Sequence, residues 1–178
     1  MTLLIGADHS VKRIEAVISE LKEIKNKKVM LEIHKYPFTG EFLDKDSMEF
    51  YNAVGEHIIN NKGKIICGEK EECLKRTYNC LKQLETLMDK ANIQGQENTK
   101  LYHGLISIAP YIERDPYFLK VIKEQQPDIV ILGFTHIPFL TDFCFRKGEY
   151  KEIYIPDWAE VLAYDNYARR NEFYNSKK

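Results

Sequence analysis

Apolar residues along this chain follow two periodicities that take turns. Short unbroken runs occur at Leu3-Leu4-Ile5, Val29-Met30-Leu31, Ile65-Ile66-Cys67 and Ile129-Val130-Ile131-Leu132. Between them lie longer stretches whose apolar positions recur every three or four residues. Continuous apolar runs of this length predict strands buried on both faces, and the longer period predicts amphipathic helices. After the first run, Ile14, Val17, Ile18, Leu21 and Ile24 mark a helix that Ser10 is placed to cap. Asn26-Lys27-Lys28 reads as a turn into a second strand, Val29–Ile33, and Pro37 and Gly40 make Lys35–Lys45 irregular. A helix from about Asp46 to Asn61 turns Met48, Tyr51, Val54 and Ile58 inward, and Gly63 restarts the chain into a third strand, Lys64–Cys67.

The second half repeats the scheme. Glu71–Ala91 is a long helix with Cys73, Leu74, Cys80, Leu81, Leu84, Leu87 and Met88 on one face. Ile93–Lys100 reads as a mobile loop and Leu101–Tyr111 as partly helical. Asp115-Pro116 then opens a helix running to about Gln126, with Asp115 as its N-cap and Pro116 at the first helical position. Strand Ile129–Leu132, a short strand Glu152–Ile155 and a helix from Asp157 to about Tyr167 complete the pattern. The alternation predicts a single α/β domain over residues 1–168, a three-layer sandwich with a mostly parallel central sheet flanked by helices, followed by a polar tail at 169–178. In such folds crossovers are right-handed and ligands bind outside the carboxyl ends of the strands.

The candidate chemistry sits at those strand ends. Gly6-Ala7-Asp8-His9 follows the first strand and Gly133-Phe134-Thr135-His136 follows the strand at Ile129–Leu132, so Gly-x-x-His occurs twice in the same context. Imidazole is a common acid–base group and metal ligand. Glu32 lies inside an apolar run, where a carboxylate is costly unless paired, hydrogen-bonded or bound to a cation; the alternative is a solvent-facing position on an edge strand. His34 shares its strand face. Glu69 follows the third strand and is a further candidate, although Gly68-Glu69-Lys70 also reads as a polar turn. Arg114 precedes a helix N-terminus, where a cation gains nothing from the helix dipole, which favours its reaching an anion: Glu32, or a substrate carboxylate or oxyanion. His57 and His103 read as helix-flank or surface residues. Two histidines and one carboxylate form a common open set for a divalent ion such as zinc or manganese.

Composition removes several alternatives. The formal net charge is −1 and the basic residues are dispersed, which argues against a nucleic-acid partner. No apolar stretch approaches the roughly 20 residues of a membrane span, and no leader pattern opens the chain, so a cytoplasmic location without a membrane partner is expected. None of the four cysteines forms a Cys-x-x-Cys pair, and Cys73 and Cys80 read as core thiols on a helical stripe. No dinucleotide-binding, Walker or Gly-x-Ser-x-Gly motif is present.

Taken together, Gly6-Ala7-Asp8-His9, Glu32 in its Val-Met-Leu-Glu strand, Glu113-Arg114-Asp115 at a helix start and Gly133-Phe134-Thr135-His136 resemble the TraB/PrgY/Tiki family, within the wider superfamily of ChaN-like and erythromycin-esterase-like proteins. The resemblance covers the beginning of the chain and the stretch from about Leu101 to Leu140 best. It implies a metal-dependent, peptidase-like hydrolase. His9, Glu32 and His136 are then the key groups: His9 and His136 hold the ion, Glu32 ligates it or acts as general base, and Arg114 supports developing negative charge. The substrate is then a peptide or small molecule. The chain is short for that family and lacks its membrane segment. Because the superfamily includes haem binders, a non-catalytic module binding a peptide, a tetrapyrrole or a small signal molecule is the alternative, and the 20 Phe and Tyr residues would suit such a ligand.

Overall fold

The computed structural model describes residues 1–38, 44–91 and 114–175. The expected loop Ile93–Lys100, the segment Leu101–Tyr111 with His103, and Glu113 lie outside the described residues. So do the side chains of Cys80, Leu81, Leu84, Leu87 and Met88. Five strands, β1 (Thr2–Ala7), β2 (Lys28–Leu31), β3 (Lys64–Cys67), β4 (Ile129–Gly133) and β5 (Tyr150–Ile155), form one all-parallel sheet in the order β3-β2-β4-β1-β5. The helices are α1 (Ile14–Glu20), α2 (Lys45–Asn60), α3 (Glu71–Ala91), α4 (residues 114–125), α5 (Ile137–Cys144) and α6 (Ala159–Asn175). Among the described residues no helix is long and apolar enough to cross a membrane.

The two faces of the sheet are covered by different helices, and the strand residues divide between them with period two. Ile5, Ala7, Val29, Leu31, Ile129 and Ile131 pack with Val17 of α1 and Phe50, Val54 and Ile58 of α2. Leu4, Met30, Val130 and Leu132 pack on the other side with Phe118, Val121 and Ile122 of α4, Ile137 and Leu140 of α5, and Ala159 and Ala163 of α6. Most of these side chains are fully buried, and each large one contributes roughly 1.5–3 kcal/mol through removal from water.

This division follows from the order of the strands. The chain steps from β1 towards β3 through α1 and α2 on one face, then back towards β5 through α4 and α5 on the other. A single crossover hand requires that reversal of direction to change faces. β4 therefore lies between β1 and β2, and the chain leaving β4 turns to the opposite face from the chains leaving its two neighbours. A crevice opens at the carboxyl end of β4, the topological switch point where α/β sheets bind ligands.

Several local expectations are revised. Ser10 makes no side-chain cap; a short 3-10 turn, Val11–Arg13, precedes α1, and the Ser10 hydroxyl points to Asp8 at 3.4 Å. β2 ends at Leu31, so Glu32 and His34 lie just past the strand. Asp115 is inside α4 and is not its cap; its carboxylate is fully buried and engaged by groups from other elements. Residues 169–175 are the last turns of α6, and Arg170 within them is buried, so the expected tail from residue 169 is mostly helix. The reason is its long-range pairing with Asp115, which local polarity does not reveal.

Candidate active site

Four strand ends and the first turn of α4 supply the site. β1 and β4 pair in parallel with Ala7 opposite Gly133, so the two Gly-x-x-His phrases leave the sheet side by side. β2 pairs with the other edge of β4 and delivers Glu32. Because β2 is an interior strand, the solvent-facing alternative for Glu32 does not arise: the residue is buried. Its Oε2 accepts a hydrogen bond from the Gly133 backbone N–H at 2.6 Å, and its Oε1 accepts one from Arg114 Nη2. His9 Nε2 stands 3.8 Å from Oε2, and His136 Nε2 stands 3.5 Å from Oε1. One carboxylate thus lies between the two imidazoles.

Neither glycine of the repeated phrase has a positive φ; Gly6 permits a close approach, and Gly133 leaves open space at the site. A Cβ on Gly133 would lie 3.4 Å from Glu32 Oε2, 3.4 Å from His136 Cδ2 and 3.5 Å from His9 Cε1, at the centre of the site. A Cβ on Gly6 would meet the Phe134 Cα at 3.0 Å, inside the second copy of the phrase.

Each imidazole has its own supporting residues. His136 Nδ1 is 2.5 Å from Asp115 Oδ1, and Asp115 Oδ2 accepts from Arg170 Nη1 at 2.8 Å. The Phe118 ring meets the imidazole edge to face. His9 rests against Phe50 and Tyr51, and the Tyr51 hydroxyl lies 2.9 Å from Nδ1 and 2.8 Å from Nε2. His9 is also the most accessible of the three central groups, with 16% of its side chain exposed against 8% for Glu32 and 4% for His136.

Arg114 joins two carboxylates. Its Nε donates to Glu69 Oε2 at 2.8 Å and its Nη2 lies 2.6 Å from the same oxygen while bonding Glu32. Buried charges persist only when compensated, and this fork compensates both glutamates. Its charge is thereby committed to Glu32 and Glu69, which makes it a positioning group. His34 stands apart from this centre; its ring packs on Phe38.

The electrostatics separate the two histidines. Burial would raise Glu32, but the Arg114 guanidinium and His136 hold it well below the usual carboxylate range. Burial would lower His136, yet Glu32 and Asp115 push it up to about 9. His9 is lowered, chiefly by burial, since attraction to Glu32 is countered by the charges of His136 and Arg114. Burial raises Glu69, partly offset by Arg114. Near neutral pH the site therefore pairs an imidazolium at His136 with a neutral imidazole at His9.

Among the described residues no group of three His, Cys, Asp or Glu side chains is placed to hold a metal ion. Both imidazoles nevertheless bring an Nε2 near the Glu32 carboxylate. The Nε2 atoms of His9 and His136 flank Glu32 at 3.8 and 3.5 Å, near the roughly 3.3 Å that separates ligands of a tetrahedral ion with bonds of about 2 Å. The Asp115 bond to His136 Nδ1 leaves Nε2 inward, as in metal-binding histidines supported by a carboxylate.

Tyr51 and Arg170 had no local signal in the sequence, the one reading as core and the other as tail, and Asp115 reads as a helix cap. Only Glu69 and Arg114, among the supporting groups, carry a local hint. Comparison of the chain with protein-family models, with curated proteins and with solved structures finds no match in any of the three.

Proposed function

We propose that the protein is a hydrolase of esters or amides, with His9 as general base and His136 as general acid. The observation that carries this reading is the pair of imidazoles driven apart in proton affinity on either side of one carboxylate. Titratable pairs separated in this way mark acid and base roles. Neutral His9, the more exposed of the two, takes a proton from water as the water oxygen bonds to the substrate carbonyl carbon. Cationic His136 stabilises the oxyanion and then protonates the leaving oxygen or nitrogen as its bond to carbon breaks. Arg114 keeps Glu32 ionised and oriented, and Asp115 fixes the His136 ring. The resemblance to the TraB/PrgY/Tiki family supports the same residues in the same centre.

A second reading, favoured by the Asp115–His136 Nδ1 bond, adds a divalent ion held by His9, His136 and Glu32, which when bound would lower the pKa of a water ligand. His136 must release its proton to serve it, so binding would strengthen as the pH rises towards 9.

Both readings are tested by assaying p-nitrophenyl esters and aminoacyl p-nitroanilides with wild type, His9→Ala and His136→Ala, with and without chelator. The metal-free reading expects turnover that survives chelation and falls at least about 100-fold in each variant. Turnover abolished by chelator and restored by zinc or manganese selects the second. Absence of turnover under all conditions rejects both and leaves a binding module.

A further inference from the structure

The start of α6 carries its large apolar side chains on the outer side. The inward positions Ala159 and Ala163 are small and fully buried against the core. Facing out, Trp158 is 54% exposed, Val161 72% and Leu162 44%. Val161 and Leu162 lie three and four residues after Trp158, a spacing that places all three on one face. A surface helix normally shows the opposite arrangement. The Trp158 ring is anchored, since it meets the Phe134 ring edge to face with centroids 6.4 Å apart.

Strand register ties this patch to the reaction centre. Ala7 of β1 pairs with Gly133 of β4 on one side and with Ile155 of β5 on the other, so the three residues form one row across the carboxyl end of the sheet. The backbone N–H of Asp8, next to His9, donates to the Ile155 carbonyl at 3.0 Å. Phe134 follows that row by one residue and Trp158 by three. Neighbouring strands lie about 4.8 Å apart, which puts Ile155 about 10 Å from Gly133 at the centre of the site. A hexanoyl chain crosses such a distance and an acetyl group does not. The size of the patch narrows its occupant. Trp158, Val161 and Leu162 together expose on the order of 300 Å², an extent often functional on a monomer and well short of the roughly 800 Å² per partner of a stable interface. The exposed carboxylates of Asp157 and Glu160 flank it, which disfavours an anionic group or an anionic lipid surface.

We propose that Trp158, with its neighbours Phe134, Val161 and Leu162, is the specificity-determining wall of the substrate site and takes a neutral apolar acyl group. Resting on the hydrolase reading, this names the substrate class: esters or amides of medium-chain or arylalkyl carboxylic acids. Binding at the wall does not depend on turnover.

Trp158 is the single tryptophan of the chain, so its fluorescence reads the patch directly. In wild type, 4-phenylbutanamide should shift the emission to shorter wavelength and protect it from acrylamide quenching. The anion 4-phenylbutanoate should bind more weakly, and Leu162→Glu should weaken the response to the amide. In turnover, wild type should prefer p-nitrophenyl hexanoate to the acetate in kcat/KM. Trp158→Ala should lower the hexanoate-to-acetate ratio roughly tenfold, in keeping with the loss of about half an indole of apolar contact, and Trp158→Phe should retain most of it. An unshielded Trp158, equal binding of the anion, or a ratio unmoved by Trp158→Ala overturns the proposal. Shielding that grows with protein concentration alone also overturns it and assigns the patch to a second copy. If Trp158→Ala is unfolded by circular dichroism, Leu162→Glu carries the same ratio test. Shielding by the amide without hydrolysis would leave the wall standing and reject the hydrolase reading; hydrolysis with an unmoved ratio would do the reverse.

Discussion

The opposite displacement of the two histidines gives the protein a stability maximum near pH 6.5. Unfolded, both imidazoles titrate near 6.5. His136 in the fold holds its proton to about 9. Its contribution is complete below 6.5 and disappears as the pH rises through 9. At about 1.4 kcal/mol per pH unit this amounts to roughly 3 kcal/mol. For His9, whose folded pKa is depressed, unfolding takes up a proton below 6.5, so stability falls as the pH drops. Glu32, also depressed, steepens the acid limb further below. A loss of roughly 3 kcal/mol corresponds to a Tm decrease of about 6–12 °C for a chain of this size. Urea denaturation of metal-free protein from pH 5 to 10, with His136→Gln alongside, measures both limbs. His136→Gln should flatten the limb between 6.5 and 9 and leave the acid limb in place. A wild-type stability unchanged between pH 6.5 and 9.5, or an equal alkaline slope in His136→Gln, would refute the reasoning.

Three further changes probe the supporting residues. Arg170→Met removes the cation from buried Asp115 and should cost about 3–5 kcal/mol in denaturant unfolding; a cost under about 1 kcal/mol would mean that the Arg170–Asp115 pair does not hold α6 to the site. Gly133→Ala suits the local backbone, with φ −51° and ψ 133°, but fills the space between the imidazoles, so thermal stability should stay near wild type while turnover falls at least about tenfold. Tyr51→Phe removes the hydroxyl beside His9 and should lower stability by about 1 kcal/mol; unchanged kcat/KM and unchanged pH profile would show that Tyr51 does not orient the base.

The reading of Glu32 shows how far local pattern reaches. An acidic residue at the end of an apolar run announces a buried or edge carboxylate, and the strand order removes the edge option by placing β3 outside β2. Arg114 carries a comparable hint, since a cation at a helix start is electrostatically misplaced unless an anion lies nearby; the anions prove to be Glu32 and Glu69, 82 and 45 residues away in the chain. Asp115 misleads for the opposite reason. Asp before Pro is a strong local cap signal, but tertiary burial gives its oxygens to His136 and Arg170.

By itself the sequence determined the alternation of strands and helices, the α/β class, and the placement of His9, Glu32, Glu69 and His136 at or just past strand ends. These are consequences of hydrophobic period and turn chemistry, which act over a few residues. Only the tertiary structure decided that β4 lies between β1 and β2, that its connection turns to the opposite face, and that the two Gly-x-x-His phrases therefore flank one carboxylate. Strand order is set by the packing of two helical layers against a sheet of one crossover hand, and no local pattern encodes it. The proton affinities follow from the same cause: His9 and His136 occur in near-identical phrases, and they differ because burial prevails at His9 whereas Glu32 and Asp115 outweigh it at His136.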